Sequence, residues 1–224
     1  MKIYAINIET LELEKEENWS KGILLVDSIR RKRVGELKQK KDRMQSMAAG
    51  LLLRYSFLQA GYENAQWEQI EMAHRQNGKP YLIQYPEFCY SLSHSGKWVI
   101  CAVHSKELGA DIQEMRPWNE RVAKRFFSTQ EYERIVNAKE EEKERLFYKM
   151  WAAKESYGKL TGDGIGKGIS QYLTSQNFDR VVDTWLQREA RLKVYEQIEE
   201  YMICVCMREE ESFPDKPEIV NNIF

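Results

Sequence analysis

Two long helical patterns, each set among short apolar segments of strand type, constrain this chain more than any other feature. The first covers residues 38–60, stops at Gly61, and carries Met44, Met47, Ala48, Leu51, Leu52 and Tyr55 along one side. The second covers residues 141–160 and follows a shorter helical pattern over 129–138. A helix with one apolar stripe must bury it against another element, and the chain supplies strand-like segments around both. Near the first lie Ile3 to Ile8, 67–73, 81–83, 90–93 and 98–103, with a hairpin turn at Asn77-Gly78. Near the second lie 108–112, 191–197 and 202–207. The expected fold is α+β (α/β), with two similar halves in one chain, each a small, mainly antiparallel sheet packed with helices. No sequence repeat and no Pro- or Ser-rich linker marks a boundary, so element order alone divides residues 1–104 from 105–224. The acidic tail from Glu209, with Pro214 and Pro217, reads as a surface extension.

Composition narrows function by exclusion. The 224 residues are 42% hydrophobic and 31% charged, far from the signature of disorder. Lys and Arg total 34 against 35 Asp and Glu, a net charge of -1, which leaves no global field to draw nucleic acid or an anionic membrane. No apolar run approaches the roughly 20 residues that span a bilayer, and the start MKIYAINIETLELEKEE alternates and turns acidic, unlike a secretory signal. Cys89, Cys101, Cys204 and Cys206 sit in apolar runs without CxxC zinc spacing and read as buried, reduced thiols. A cytoplasmic protein is the expectation.

Several segments carry candidate chemistry. The cluster Gly162-Asp163-Gly164-Ile165-Gly166-Lys167-Gly168 invites a phosphate-loop reading, because closely spaced glycines expose backbone amides to an anion. The spacing opposes it, since Gly168 follows Lys167 where a phosphate loop needs Ser or Thr, and a helical pattern precedes the cluster. A loop or helix stop is the plainer reading. The run from Arg30 to Arg43 holds eight basic residues against Glu36 and Asp42 without interleaved aromatics. A solvated helix face is the plainer reading there, with weakly signalled nucleic-acid binding as the second option and a local patch for a small phosphorylated ligand as the third.

In Leu108-Gly109-Ala110-Asp111-Ile112-Gln113, strand alternation puts Asp111 and Gln113 on one face, where two oxygen donors could meet a cation. A polar strand end is the plainer account. Glu155 and Lys159 lie four apart within Trp151-Ala152-Ala153-Lys154-Glu155-Ser156-Tyr157-Gly158-Lys159 and share a helix face, which also fits an exposed pair worth about 0.2–0.5 kcal/mol. His94 sits among serines at a strand end without a nucleophile elbow, so a hydrolytic triad is disfavoured, whereas donation to a phosphate needs none.

Read together, NGKPYL (Asn77 to Leu82), SLSHSGKWVICAV (Ser91 to Val103), GADIQ (Gly109 to Gln113), RFFSTQEY (Arg125 to Tyr132) and WAAKESYGK (Trp151 to Lys159) change the weighting. With these blocks the chain closely resembles the 4'-phosphopantetheinyl transferases, more narrowly the monomeric type that activates surfactin synthetase and related carrier-protein systems. The blocks follow the family's order with similar gaps over most of the chain. The resemblance implies two similar halves with coenzyme A in the cleft between them. The implied reaction is transfer of 4'-phosphopantetheine from coenzyme A to a serine of an acyl or peptidyl carrier protein, with release of 3',5'-ADP, in nonribosomal peptide, polyketide or fatty acid biosynthesis. A non-catalytic coenzyme A or carrier-binding protein of the same fold is the alternative.

The same resemblance assigns roles. It implies Mg2+ held by Asp111 and Glu155 and bridging the pyrophosphate, with Gln113, where close relatives carry Glu, as a third ligand directly or through water. Weaker metal affinity, or a wetter coordination shell, is the expectation at an uncharged ligand. Glu155 would also take the serine proton, while Lys154 and Lys159 steady the phosphates and Lys159 meets the departing 3',5'-ADP, so Glu155, Lys159 and Asp111 form the implied catalytic group. On the coenzyme A side, Lys79 and Pro80 match the adenine loop, Ser93 and His94 match phosphate contacts, and Arg30 and Arg33 match residues near the 3'-phosphate by spacing alone. Ser46 replaces a Thr, and Gln45 stands where an Arg is expected. Trp118, Phe126 and Phe127 are candidates for a carrier surface, with core packing preferred for at least two of them. The implied partners are coenzyme A and a carrier protein, without nucleic acid or membrane, acting on a monomer.

Overall fold

Alternation at the start of the chain predicts a strand, and β1 (Lys2–Asn7) forms there, turning Tyr4 and Ile6 into a core. The computed structural model describes residues 1–164 and 169–224. Three helices follow: α1 (Glu16–Leu25), α2 (Ser28–Glu36) and α3 (Lys40–Gln59). The basic run is therefore two helices rather than one face. Asp27 caps α2, its side chain accepting from Arg30 N at 2.7 Å, and Leu37 to Gln39 interrupt the helical path.

Helix α3 buries every residue from Gln45 to Leu53, because α1 and α2 cover the side that the sheet does not. The one-sided stripe read from its sequence supplies only four of its eleven buried residues, Met47, Ala48, Leu51 and Leu52. Gly50 is where α2 comes close, since a Cβ there would lie 2.7 Å from Val26 Cγ1 and 2.9 Å from Arg30 Cγ. The Asn77-Gly78 turn joins the short hairpin β2 (Met72–His74) and β3 (Pro80–Leu82). Residues 67–69, expected in a strand, form a helical turn instead. A second hairpin, β4 (Cys89–Ser95) and β5 (Trp98–His104), pairs through β5 with β1, all antiparallel.

The second half opens with β6 (Leu108–Glu114), then α4 (Glu120–Phe126), α5 (Thr129–Val136) and α6 (Glu140–Thr161). Four more strands complete it: β7 (Tyr172–Thr174), β8 (Arg180–Asp183), β9 (Arg188–Tyr195) and β10 (Tyr201–Met207). They make an antiparallel sheet ordered β6-β10-β9-β8-β7, with α6 packed on β6 and β10. Elements α4, β7 and β8 carry too few residues for periodicity to reveal them. Gly162 ends α6 in the left-handed region, φ 81°, so the first residues of the glycine cluster are a helix stop. Ile165, Gly166, Lys167 and Gly168 lie outside the described residues.

The tail does more than extend over the surface. β11 (Glu218–Ile219) pairs in parallel with β1, and Val220 and Ile223 are buried in that core. The compact units are therefore Met1–Ser105 together with Pro214–Phe224, and Lys106–Phe213. Each is a helix-covered sheet, and together they make the α+β chain of two similar halves that the sequence predicts. Among the described residues no helix is long and apolar enough to cross a membrane.

Candidate active site

The site in the second unit begins with a glycine. A Cβ on Gly109 would overlap the Ser156 carbonyl oxygen and come within 2.6 Å of Leu160 N, so only glycine lets the α6 backbone settle against β6. That close approach brings the side chain of Asp111, two residues along β6, against Lys159 on α6. Lys159 Nζ donates to Asp111 Oδ1 at 2.8 Å, and Gln113 Nε2 donates to Asp111 Oδ2 at 2.8 Å. Asp111 is 2% exposed and Glu155 8%.

Glu155 receives no hydrogen bond among the described residues. Burial first, then the nearby Asp111 carboxylate, raise its pKa to about 7, with Lys159 opposing them. Two buried carboxylates that repel each other, with one lysine between them, make a site short of positive charge. That electrostatic deficit suits a magnesium ion, which takes one or two carboxylates together with phosphate and water oxygens. No group of three His, Cys, Asp or Glu side chains is placed to hold a metal among the described residues, and Gln113, the third donor expected from the sequence, is a carboxamide. Here its carboxamide nitrogen faces Asp111, an arrangement that orients the carboxylate and leaves the amide oxygen as the atom a cation would use.

Lys154 departs from its expected role. It is 0% exposed, its ammonium forming an ion pair with Glu131 Oε2 at 2.7 Å and donating to the Ile169 carbonyl at 3.1 Å and to the Tyr172 carbonyl. It also lies 5.4 Å from the Phe127 ring centre. Burial holds its pKa below the ordinary lysine value, with Glu131 opposing. An ammonium so enclosed has no face to offer a phosphate. The physical reason is the helix itself, which turns consecutive residues about 100° apart, so Lys154 points into the core while Glu155 meets Asp111.

Glu131 is the residue that sequence reasoning missed. Its Oε2 accepts from Ser128 N at 3.0 Å as well as from Lys154, and its Oε1 accepts from Thr174 N at 3.1 Å and Thr174 Oγ1 at 3.0 Å. Ser128 and Glu131 form a reciprocal capping box at the start of α5. The spacing Ser-x-x-Glu within RFFSTQEY was the available signal. Trp118, Phe126 and Phe127 pack around the same helices, with Phe127 5.2 Å from Phe147, Phe126 5.6 Å from Trp151 and Trp118 6.4 Å from Phe147.

The remaining candidates belong to the first unit. Arg30 lays its stem over Gly50, and burial holds its guanidinium pKa below the usual value, with Asp27 opposing. Arg33 is exposed. Ser46, one helical turn before Gly50, is buried, and its hydroxyl finds no hydrogen-bond partner among the described residues. Gln45 takes a structural part, donating to the Gly96 carbonyl at 2.8 Å and tying α3 to the β4–β5 turn. Lys79 and Pro80 close the β2–β3 hairpin, the Lys79 carbonyl accepting from Arg75 N at 2.9 Å. Ser93 is buried while His94, its neighbour on β4, is exposed on the opposite face.

Comparison with known proteins accounts for this arrangement. Residues 107–212 match the 4'-phosphopantetheinyl transferase superfamily, and residues 14–106 match the family described as 4'-phosphopantetheinyl transferase, N-terminal. A 4'-phosphopantetheinyl transferase of Bacillus subtilis is 30% identical over 210 residues, 92% of either chain. The transferase Sfp of Bacillus subtilis strain 168 is 29% identical over 226 residues, 100% of this chain and 97% of that one. The transferase psf-1 of Bacillus pumilus is 36% identical over 144 residues, 63% of this chain and 62% of its own. With relatives of this identity spanning nearly the whole chain, and with the GADIQ strand set against the WAAKESYGK helix, the protein belongs to the 4'-phosphopantetheinyl transferase superfamily, of the Sfp type.

Proposed function

We infer that the protein transfers the 4'-phosphopantetheine group of coenzyme A to a serine hydroxyl of an apo acyl or peptidyl carrier protein, releasing 3',5'-ADP. The observation that carries this reading is the pairing of Asp111 on β6 with Lys159 on α6 beside the Glu155 carboxyl, whose pKa is raised to about 7. The serine oxygen forms a bond to the phosphorus that bears pantetheine, the bond from that phosphorus to the diphosphate bridge breaks, and its electron pair leaves with 3',5'-ADP. Glu155, with a pKa near 7, takes the serine proton. Lys159, held at Asp111, steadies the departing phosphate. Asp111 and Glu155 would hold magnesium, with the Gln113 amide oxygen as a weaker third donor; when bound, the ion offsets negative charge on the diphosphate. In the first unit, Arg30, Arg33, Ser46, Ser93 and His94 would meet the phosphates and Lys79 with Pro80 the adenine. The unpartnered Ser46 hydroxyl supports that assignment. Lys154 drops out as a phosphate ligand and becomes an anchor for α6. Three of the four free thiols are buried and Cys89 is partly so, which suits a reducing cytoplasm.

The test is the mass of several apo-carrier proteins incubated with the protein, coenzyme A and magnesium. A gain of one phosphopantetheine on a carrier, abolished by Glu155→Ala, is the expected result. Coenzyme A binding without mass gain on any carrier would instead support a non-catalytic binding protein.

A further inference from the structure

Outside the site just described, the second unit contains a basic pocket of about 560 Å³ that the transfer chemistry does not use. Its walls include Arg134 from α5, Arg145 and Lys149 one turn apart on α6, and Phe178 from the turn between β7 and β8. Arg134 donates to the carbonyls of Ser175 at 3.4 Å and Gln176 at 2.6 Å, and its guanidinium lies 4.7 Å from the Phe178 ring centre. It pairs with no carboxylate among the described residues. Lys149 Nζ lies 5.9 Å from the same ring. Phe178 itself adopts a left-handed backbone, φ 55°, a strained conformation for a bulky residue. That turn is closed by Phe178 N donating to the Ser175 carbonyl at 3.2 Å and by Asp179 N donating to Ser175 Oγ at 3.1 Å.

The charges do not cancel. Both oxygens of Glu196 are engaged, Oε1 by Lys149 at 2.7 Å and Oε2 by Arg145. Glu142 also lines the pocket but is exposed and pairs with none of the three cations. Burial first, and Arg145 next, hold the Lys149 pKa below the ordinary value, as expected where cations crowd together. Three cationic groups from two helices line one cavity against the single paired carboxylate of Glu196, which leaves net positive charge for an anion with several acceptor oxygens.

We propose that this pocket, walled by Arg134, Arg145, Lys149 and Phe178, is a binding site for a phosphate-class anion, separate from the transferase site. The inference does not depend on the transferase reading. Its test follows the side-chain Nε–H resonance of Arg134 while inorganic phosphate, glycerol 3-phosphate or acetate is added at constant ionic strength. A saturable shift with either phosphate, at least fivefold weaker in Lys149→Gln and in Arg145→Gln and unchanged in Lys159→Gln, supports the site. Tighter binding of glycerol 3-phosphate assigns it to phosphate monoesters, and tighter binding of inorganic phosphate to the free ion. A response that does not saturate, that acetate matches, that both pocket variants retain, or that only Lys159→Gln removes would overturn it.

Discussion

Helices α3 and α6 are nearly equal in length, 20 and 22 residues, and each lies on the sheet of its own unit, yet they bury different chemistry. The polar residues that α3 buries are neutral, Gln45, Ser46 and Ser56. By contrast, α6 buries Lys154 and Glu155 side by side. Burying a charge is costly unless it is paired. Lys154 is paired with Glu131, whereas Glu155 is left beside a second carboxylate and holds its proton to about pH 7. The contrast separates a paired buried charge from a carboxyl crowded by a second one, within two adjacent residues, and the proposed reaction uses the latter.

The sharpest way to break this comparison is at Glu155. Glu155→Ala should lower carrier-modification kcat/KM by about 10²–10⁴-fold, the usual contribution of a general base, while its thermal midpoint without metal stays equal to or above wild type. A loss of both activity and stability would mean that Glu155 belongs with Lys154 as a structural charge. Lys154→Met should destabilise by about 3–5 kcal/mol in denaturant titration, because it leaves Glu131 buried without its cation. The double variant Lys154→Met, Glu131→Leu should recover part of that loss.

Glycines test the same contrast through shape. Gly109→Ala sets a Cβ against the backbone of α6, which cannot yield, and should cost about 3 kcal/mol or more. Gly50→Ala on α3 meets only side-chain atoms of Val26 and Arg30 and should cost roughly half as much. Similar unfolding midpoints for the two would refute the idea that α6 is the more tightly docked helix.

The pH dependence of stability follows from Glu155. Its carboxyl titrates near 4.5 when unconstrained and near 7 when folded, so the folded state holds that proton more tightly. Its stabilising contribution is complete below about pH 4.5 and is lost as the pH rises through 7, by roughly 3 kcal/mol in the absence of divalent metal. Glu155→Gln carries no such proton, so its stability advantage over wild type should grow across that window in urea titrations with chelator present. The smallest effect belongs to Gln113→Glu, which should tighten magnesium binding about tenfold, close to 1.4 kcal/mol, by calorimetry. Unchanged affinity would place Gln113 as a residue that only orients Asp111.

Much of this site was legible in the linear sequence. Alternation along β6 put Asp111 and Gln113 on one face, and they are hydrogen-bonded. Periodicity put Glu155 and Lys159 on one face of a helix, and both turn toward Asp111. What periodicity could not weigh was burial, since two exposed acids and two buried ones share the same spacing. Lys154 shows the limit, because a motif lysine reads as a phosphate ligand until its partners Glu131, Ile169 and Tyr172, all distant in sequence, are seen around it.

The sequence by itself determined local matters: where the two long helices and most strands lie, where chains turn, and which ordered motifs place the protein in its family. These rest on interactions between residues a few positions apart, which spacing encodes. Only the tertiary structure decided that the tail returns as β11 to the first unit, that Gly109 admits α6 to β6, and that Glu155 is short of a partner while Lys154 is not. Each of those depends on contacts across long sequence separations, where desolvation and charge are set by neighbours that the linear order does not reveal.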